Sequence, residues 1–380
     1  MSGRDAAPSP ARARWRQWLQ AEWLLLLFGG LALGLAALDP QPWASYRRWL
    51  QLPTLAGLLG LLVATQGICD SGVVQRAAAT LAARAHSVRT LGLLLAAVAA
   101  LLSMLLTNDV SLFLIVPLTV ALGGISNLPV LRMAVLEALA VNAGSSLSPI
   151  GNPQNLLLWQ HARLPFLHFV AAMLPVAALM MLLLGALTWC WLPSSRIHLE
   201  RPGINGISTR LALLSAATLA MMVWMMEVGR AECAAPLVLL PYAVFARRTL
   251  ARVDWWLLAT FAAIFLGLGQ LAELAPVRGA LDRLDFSQPL VLYASGIVAS
   301  QLISNVPATV LLLDRARDPL ALAIAVNVGG FGLAIGSLAN LIALRLARQP
   351  HGLRELHRVS IPFLLVCAPL VYLAWRWIGP

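Results

Sequence analysis

Apolar runs approaching membrane-crossing length recur through the sequence: Glu22 to Leu38, Leu91 to Leu106, Phe166 to Leu192, Leu211 to Met226, Trp255 to Leu271 and Ile361 to Trp375. An α-helix needs roughly twenty such residues to traverse a ~30 Å hydrocarbon layer. Backbone amides find no water there, so the runs must be helical. Of 380 residues, 60% are apolar and 11% charged, and mean hydropathy is +0.80, which rules out an ordinary water-soluble core. The chain reads as an all-α polytopic membrane protein.

The net charge of +11 falls in short segments between the apolar runs, where it acts as a topology signal, so nucleic acid is not an expected partner. All 27 basic residues are arginine, which removes any Schiff-base lysine. The Arg-rich leader (Arg4, Arg12, Arg14, Arg16) is read as the flank of the first span and not as a cleaved signal. Cys69, Cys190, Cys233 and Cys367 are scattered, and the six histidines form no spaced ligand pair. Neither a disulfide framework nor a metal site is expected, and sodium is the one candidate ion. With no nucleophile, metal set or histidine near the polar clusters, the chain is not expected to be an enzyme.

Against this background the run VNAGSSLSPIGNPQNL (141 to 156) is out of place. Shifted by 185 residues it lies, without gaps, on VNVGGFGLAIGSLANL (326 to 341), matching Asn142 to Asn327, Gly144 to Gly329, Gly151 to Gly336 and Asn155 to Asn340. A second pair, LLTNDVSLFLIVPL (105 to 118) and LISNVPATVLLL (302 to 313), puts a Thr-Asn or Ser-Asn pair inside apolar surroundings in each half. The spacing between paired motifs differs: 34 residues from Asn108 to Asn142 and 22 from Asn305 to Asn327, a connector of 12 residues.

The expected organisation is an N-terminal repeat (1–192) with a re-entrant hairpin around 107–109 and a broken helix over 131–159. A cytoplasmic linker (193–210) leads to a C-terminal repeat (211–380), with a hairpin around 304–306 and a broken helix over 319–345. That gives about nine full spans plus two hairpins. An odd number of crossings separates equivalent spans, so the repeats are inverted. With the N-terminus cytoplasmic, 18 arginines fall inside and 9 outside, while Glu227, Glu232, Glu273, Asp282, Asp285, Asp314 and Asp318 fall outside. Trp43, Trp49, Trp255, Trp256, Trp375 and Trp377, near span ends, read as interfacial anchors.

Non-helical backbone at membrane depth is tolerated only inside protein or around a wet cavity. Gly144, Pro149, Gly151 and Pro153 should interrupt a span into two half-helices, whose free N–H ends can hold an anion and whose free carbonyls can hold a small cation. Asn108 and Asn305 suit caps for the second helix of each hairpin, and Pro307 fits a helix start.

The segments TNDVSLFLIVPLT, SPIGNPQN and SNVPATVLLL, followed by the second Asn-Gly-Gly run, resemble the ion transporter superfamily. It includes divalent-anion/sodium symporters, citrate transporters, arsenite permeases and some sodium/proton antiporters. The resemblance implies a homodimer in the bacterial inner membrane, in which a transport domain slides against a scaffold, elevator fashion. It moves a small ion, favoured as an inorganic or carboxylate anion, coupled to sodium or protons. Carried onto this chain, it implies a first site of Thr107, Asn108, Asn142, Gly144 and Ser145 and a second of Ser304, Asn305, Asn327, Gly329 and Gly330. Asp109, Gly151, Asn152, Asn155, Gly336 and Asn340 complete the candidate binding set. The dicarboxylate branch carries Ser-Asn-Thr at both tips; here the third positions are Asp109 and Val306, which counts against a dicarboxylate.

Asp109 and Glu137 are the coupling-ion candidates, because an ionised carboxylate at membrane depth must pair with a cation or take a proton. Their counterparts, Val306 and Leu322, are apolar. The competing structural readings are that Asp109 is an N-cap, that Glu137 pairs with Arg132, that the motif glycines are helix-packing positions, and that Asp70 is an interfacial charge.

Overall fold

A computed structural model describes residues 22–125, 128–197 and 206–378. The Arg-rich leader and residues 198–205 of the expected linker lie outside the described residues.

The first half begins with α1 (Trp23–Leu38), α2 (Trp43–Trp49), α3 (Leu52–Asp70) and α4 (Val73–Ala82). It continues through α5 (Val88–Leu105), α6 (Asn108–Ile125), α7 (Val130–Ser145), α8 (Pro153–Ala162) and α9 (Phe166–Trp191). Between the halves stand α10 (Thr209–Glu227), α11 (Ala231–Phe245) and the single turn α12 (Arg247–Leu250). The second half has α13 (Trp255–Glu273), α14 (Ala275–Leu281), α15 (Pro289–Ile303), α16 (Asn305–Leu312), α17 (Pro319–Val328), α18 (Leu338–Ala347) and α19 (Gly352–Ile378). The order from α3 to α9, a long helix, a short one, two pairs and a long helix, is also the order from α13 to α19.

Local chemistry sets many of these boundaries. Ser87, Asn152, Ser208, Asp254 and Asp318 each accept a hydrogen bond from a first-turn N–H, and Pro153, Pro289 and Pro319 stand just inside helix starts where no N–H is needed. Among the described residues six helices, α3, α5, α9, α10, α13 and α19, are long and apolar enough to cross a membrane. Shorter apolar helices include α1, α6, α11, α15, α17 and α18. The protein is all-helical among its described residues, apart from one isolated bridge where Ser87 meets Arg196.

The helices pack in two sets. One gathers α1, α3, α10, α11 and α13; the other gathers α5 to α9 with α15 to α19. In the second set α18 lies on α6 and α7, while α8 lies on α16 and α17, so each half places its short helix in the other.

The connector difference resolves as helix. α6 has 18 residues where α16 has 8, and α7 has 16 where α17 has 10. One of the tryptophans read as anchors is corrected: Trp49 is buried, its ring against Gly269. Trp375 is half-buried in an aromatic cluster with Tyr293 and Tyr372, and Trp43 and Trp377 are exposed.

Candidate functional site

The turns from α5 to α6 and from α15 to α16 take two residues or fewer, each with a residue in a strained backbone conformation. Thr107 has φ 139° and Ser304 φ 77°, a region that residues with a Cβ enter at a cost of ~1–3 kcal/mol. Beyond each turn an asparagine opens the next helix. Asn108 Oδ1 accepts from Asp109 N at 3.0 Å, and Asn305 Oδ1 accepts from Val306 N at 2.9 Å. The expected cap is thus displaced: the asparagine is the first helical residue and its oxygen serves the adjacent N–H, because the turn residue occupies the cap position.

The helices α7 and α8 are parted by residues 146–152, and α17 and α18 by 329–337, which contain a 3₁₀ turn at Ala334–Gly336. The two breaks cross, and their side chains exchange hydrogen bonds in matching pairs. Asn142 Nδ2 donates to Asn340 Oδ1 at 3.0 Å, and Asn327 Nδ2 donates to Asn155 Oδ1 at 2.6 Å. Asn142 Oδ1 accepts from Ser337 Oγ at 2.9 Å, and Asn327 Oδ1 accepts from Asn152 Nδ2 at 2.9 Å. The return contacts to backbone match as well. Asn155 Nδ2 donates to the carbonyls of Ser145, Ser146 and Ser148, and Asn340 Nδ2 donates to those of Gly330 and Leu333. The pairings obey the offset of 185, Ser145 with Gly330 and Ser148 with Leu333, except at Ser146, whose counterpart Phe331 accepts from Gln301 instead.

The turns are fastened to the breaks by different means. Asn108 N donates to Gly151 O at 2.9 Å. In the other half the link comes from a side chain: Gln301 Nε2 donates to Gly329 O and Phe331 O at 2.6 and 2.8 Å, and its Oε1 accepts from Leu333 N at 2.7 Å. Asn108, Asn142, Asn305 and Asn327 are all buried; the helix N-termini at Pro153 and Leu338 open directly from the two breaks, and that at Asn108 is bonded to the first of them. Such ends carry partial positive charge and unpaired N–H groups.

The motif glycines have a packing explanation. A Cβ on Gly144 would collide with the backbone of Ala100, and one on Gly151 with that of Ser145. On Gly329 it would lie 2.6 Å from Ser300 Cβ, and on Gly336 2.8 Å from Gly329 O. Gly330 is looser, with Asn327 O at 3.1 Å.

The acids depart from their structural alternatives. Glu137 does not meet Arg132: its Oε1 accepts from Thr119 on α6, while Arg132 pairs with Glu355 at 3.4 Å and stacks on Trp191. The reason is direction, since Glu137 points into the interface with α6 and Arg132 to the rim. Asp109 is 7% exposed and its Oδ1 has no hydrogen-bond partner among the described residues, whereas a capping carboxylate would be accepting an N–H there. Glu137 Oε2 and Gln154 Oε1 are likewise buried without partners. Asp70 is held by Arg252 at 3.1 Å and Thr249 at 3.0 Å.

Four participants were not named from sequence: Ser337, Gln301, Thr119 and Gln154. The offset of 185 carries Asn152 onto Ser337, so that one was open to discovery; the others have apolar counterparts and left no repeat signal.

The sequence profile of the citrate transporter family, CitMHS, matches residues 19–319. The inner membrane protein YbiR of Escherichia coli is 39% identical over 354 residues, covering 92% of this chain and 93% of that protein. The silicon efflux transporter LSI3 of Oryza sativa is 32% identical over 126 residues, 33% of this chain and 26% of that one. Among solved structures, the Alcanivorax borkumensis YdaH transporter shares the fold, with a TM-score of 0.51 at 18% identity over 94% of this chain and 97% of that one. Two fastened turns, a crossing of broken helices within an apolar all-helical body, and a family profile over most of the chain lead to one conclusion: the protein is a multi-pass membrane transporter of the citrate transporter family.

Proposed function

We propose that the chain is a secondary active carrier that moves a small anion through the crossing of its broken helices, coupled to sodium or protons. The observation that carries this is the matched hydrogen-bond exchange between Asn142, Ser337 and Asn340 and between Asn327, Asn152 and Asn155. A two-fold crossing of interrupted helices supplies opposed dipole ends at one depth, where an anion can exchange water for N–H groups. The site comprises Thr107, Asn108, Asn142 and Ser145 with Ser304, Asn305, Asn327 and Gly330, and the other motif glycines permit its close approaches.

In this reading residues 1–192 and 211–380 are inverted repeats joined by a cytoplasmic linker, with nine spans and two hairpins, re-entrant from opposite sides. The set holding the crossing is the moving body, the set holding α3 and α13 is the scaffold, and the working unit is a homodimer. The ion pairs support this orientation: Arg48 with Glu273, Arg315 with Asp282, Arg252 with Asp70 and Arg132 with Glu355 each join groups assigned to the same side.

A small inorganic anion or weak oxyacid suits the site better than a dicarboxylate, because the first turn presents Asp109 where a hydroxyl would receive a carboxylate. Asp109 and Glu137 take the coupling role, since each holds a buried carboxylate oxygen without a partner. The same two acids favour a second reading, sodium/proton exchange.

Reconstitution into proteoliposomes decides between these. Uphill accumulation of an anion under an imposed sodium or proton gradient is the expected result. Sodium efflux against protons with no anion moved would select exchange, and purely dissipative flux would reduce the protein to a channel.

A further inference from the structure

Asp109 borders a cavity of about 160 Å³ that the hydrogen-bonded crossing does not use. The polar groups around it are Glu22, just ahead of α1, Asp254 at the cap of α13, Thr260 further along the same helix, and Arg345 of α18, with Phe113 beside Asp109. The cavity therefore lies between the two packing sets: α1 and α13 form one wall, α6 and α18 the other. Among the described residues that line it, three carboxylates face a single guanidinium. They act on one another, for the Glu22 carboxyl is held above its usual range by partial burial, then by the like charge of Asp254, with Arg345 opposing. A cleft with excess charge of one sign and low-dielectric walls concentrates counter-ions and repels the other sign. At its inner end stands a side chain nine-tenths buried and lacking a partner for Oδ1.

We infer that this acidic cavity is a vestibule through which a small monovalent cation, hydronium included, reaches Asp109 from the face of the protein that carries Glu22, Asp254 and Arg345. An anionic substrate is excluded from it, so cation and substrate approach the moving body by separate routes. This rests on the proposed coupling role of Asp109.

Thiol labelling tests it without requiring transport. In a background with Cys69, Cys190, Cys233 and Cys367 replaced by serine or alanine, Asp109→Cys is exposed to a trimethylammonium methanethiosulfonate and to its sulfonate counterpart, from each side of oriented vesicles. The cationic reagent should label at least about tenfold faster than the anionic one, and from one side only. Adding Glu22→Gln and Asp254→Asn should bring the ratio toward one. Thr260→Cys on the facing wall gives the same comparison should Asp109→Cys fail to fold. Equal labelling by the two reagents, preference for the sulfonate, or protection of both cysteines from both sides would overturn the vestibule. Charge-selective labelling together with cation-independent transport would keep the vestibule and overturn the coupling role instead.

Discussion

The two halves agree where they hold each other and differ where a charge could be held. At the crossing, asparagine answers asparagine across the offset of 185, and two of the three carbonyls that accept from Asn155 have counterparts accepting from Asn340. Away from it, Asp109, Glu137 and Gln154 of the first half carry buried oxygens without partners, and the residues at the corresponding positions are Val306, Leu322 and Ala339. A buried polar atom left unpaired costs ~1–3 kcal/mol. Gln75 Oε1 of the first half and Gln270 Oε1 of the second are also buried without partners among the described residues, so the excess of the first half lies in the helix set that holds the crossing. The shared part reads as the frame of the substrate site and the unshared part as the machinery for a coupling ion.

The largest effects should come from the close approaches that both halves need. Gly144→Ala places a methyl group into the Ala100 backbone, which cannot turn aside, and Gly329→Ala places one against Ser300 Cβ. Each should lose ~1–3 kcal/mol, with Gly144→Ala the more severe, read as lower folded yield and a lower melting midpoint in detergent. Gly124→Ala, which meets nothing within 4 Å, should be neutral or slightly stabilising. A silent Gly144→Ala would show that the breaks do not require this contact.

Next in size is the exchange itself. Asn142→Ala removes the partner of both Asn340 Oδ1 and the Ser337 hydroxyl, and Asn327→Ala does the same to Asn155 and Asn152. The two variants should cost similar amounts, ~1–3 kcal/mol for each group left buried and unpaired, and both should abolish transport. Costs that differ several-fold would break the equivalence of the halves.

The third test installs the second half's residues in the first. Asp109→Val exchanges an unpartnered buried oxygen for a hydrocarbon, and Glu137→Leu does the same while also taking away the acceptor of the buried Thr119 hydroxyl. The melting midpoint should rise for Asp109→Val, and by less for Glu137→Leu, while the sodium or proton dependence of transport disappears in both, a gain in stability obtained by losing function. A fall in midpoint with coupling intact would make both acids structural.

The all-helical fold and the crossing partners were legible for one reason: polar residues are rare enough in this chain that a recurring asparagine or glycine stands out. The same scarcity hid the rest. Residues 108–125 continue as helix far beyond the matching segment because nothing in an apolar run marks where a helix must stop. Thr119 is a common small residue whose significance depends on Glu137 across the interface. Ser337 escaped a search for identity because serine replaces asparagine there while keeping a donor. Whether Gly144 belongs to a site or to a contact is decided by Ala100, which lies 44 residues earlier in the chain.

The smallest expected effect concerns the rim where the halves meet. Arg132 of α7 pairs with Glu355 of α19 at 3.4 Å, with the two side chains 43% and 19% exposed. At that exposure solvent screens most of the attraction, and a double-mutant cycle with Arg132→Ala and Glu355→Ala should return a coupling of ~0.2–1 kcal/mol that shrinks as salt is added. The parallel cycle with Arg132→Ala and Glu137→Gln should return none, because Glu137 faces Thr119 and not the rim. A coupling between Arg132 and Glu137 larger than that between Arg132 and Glu355 would mean that Glu137 is neutralised by its own half, and the contrast between a charged half and an apolar one would then rest on Asp109 alone.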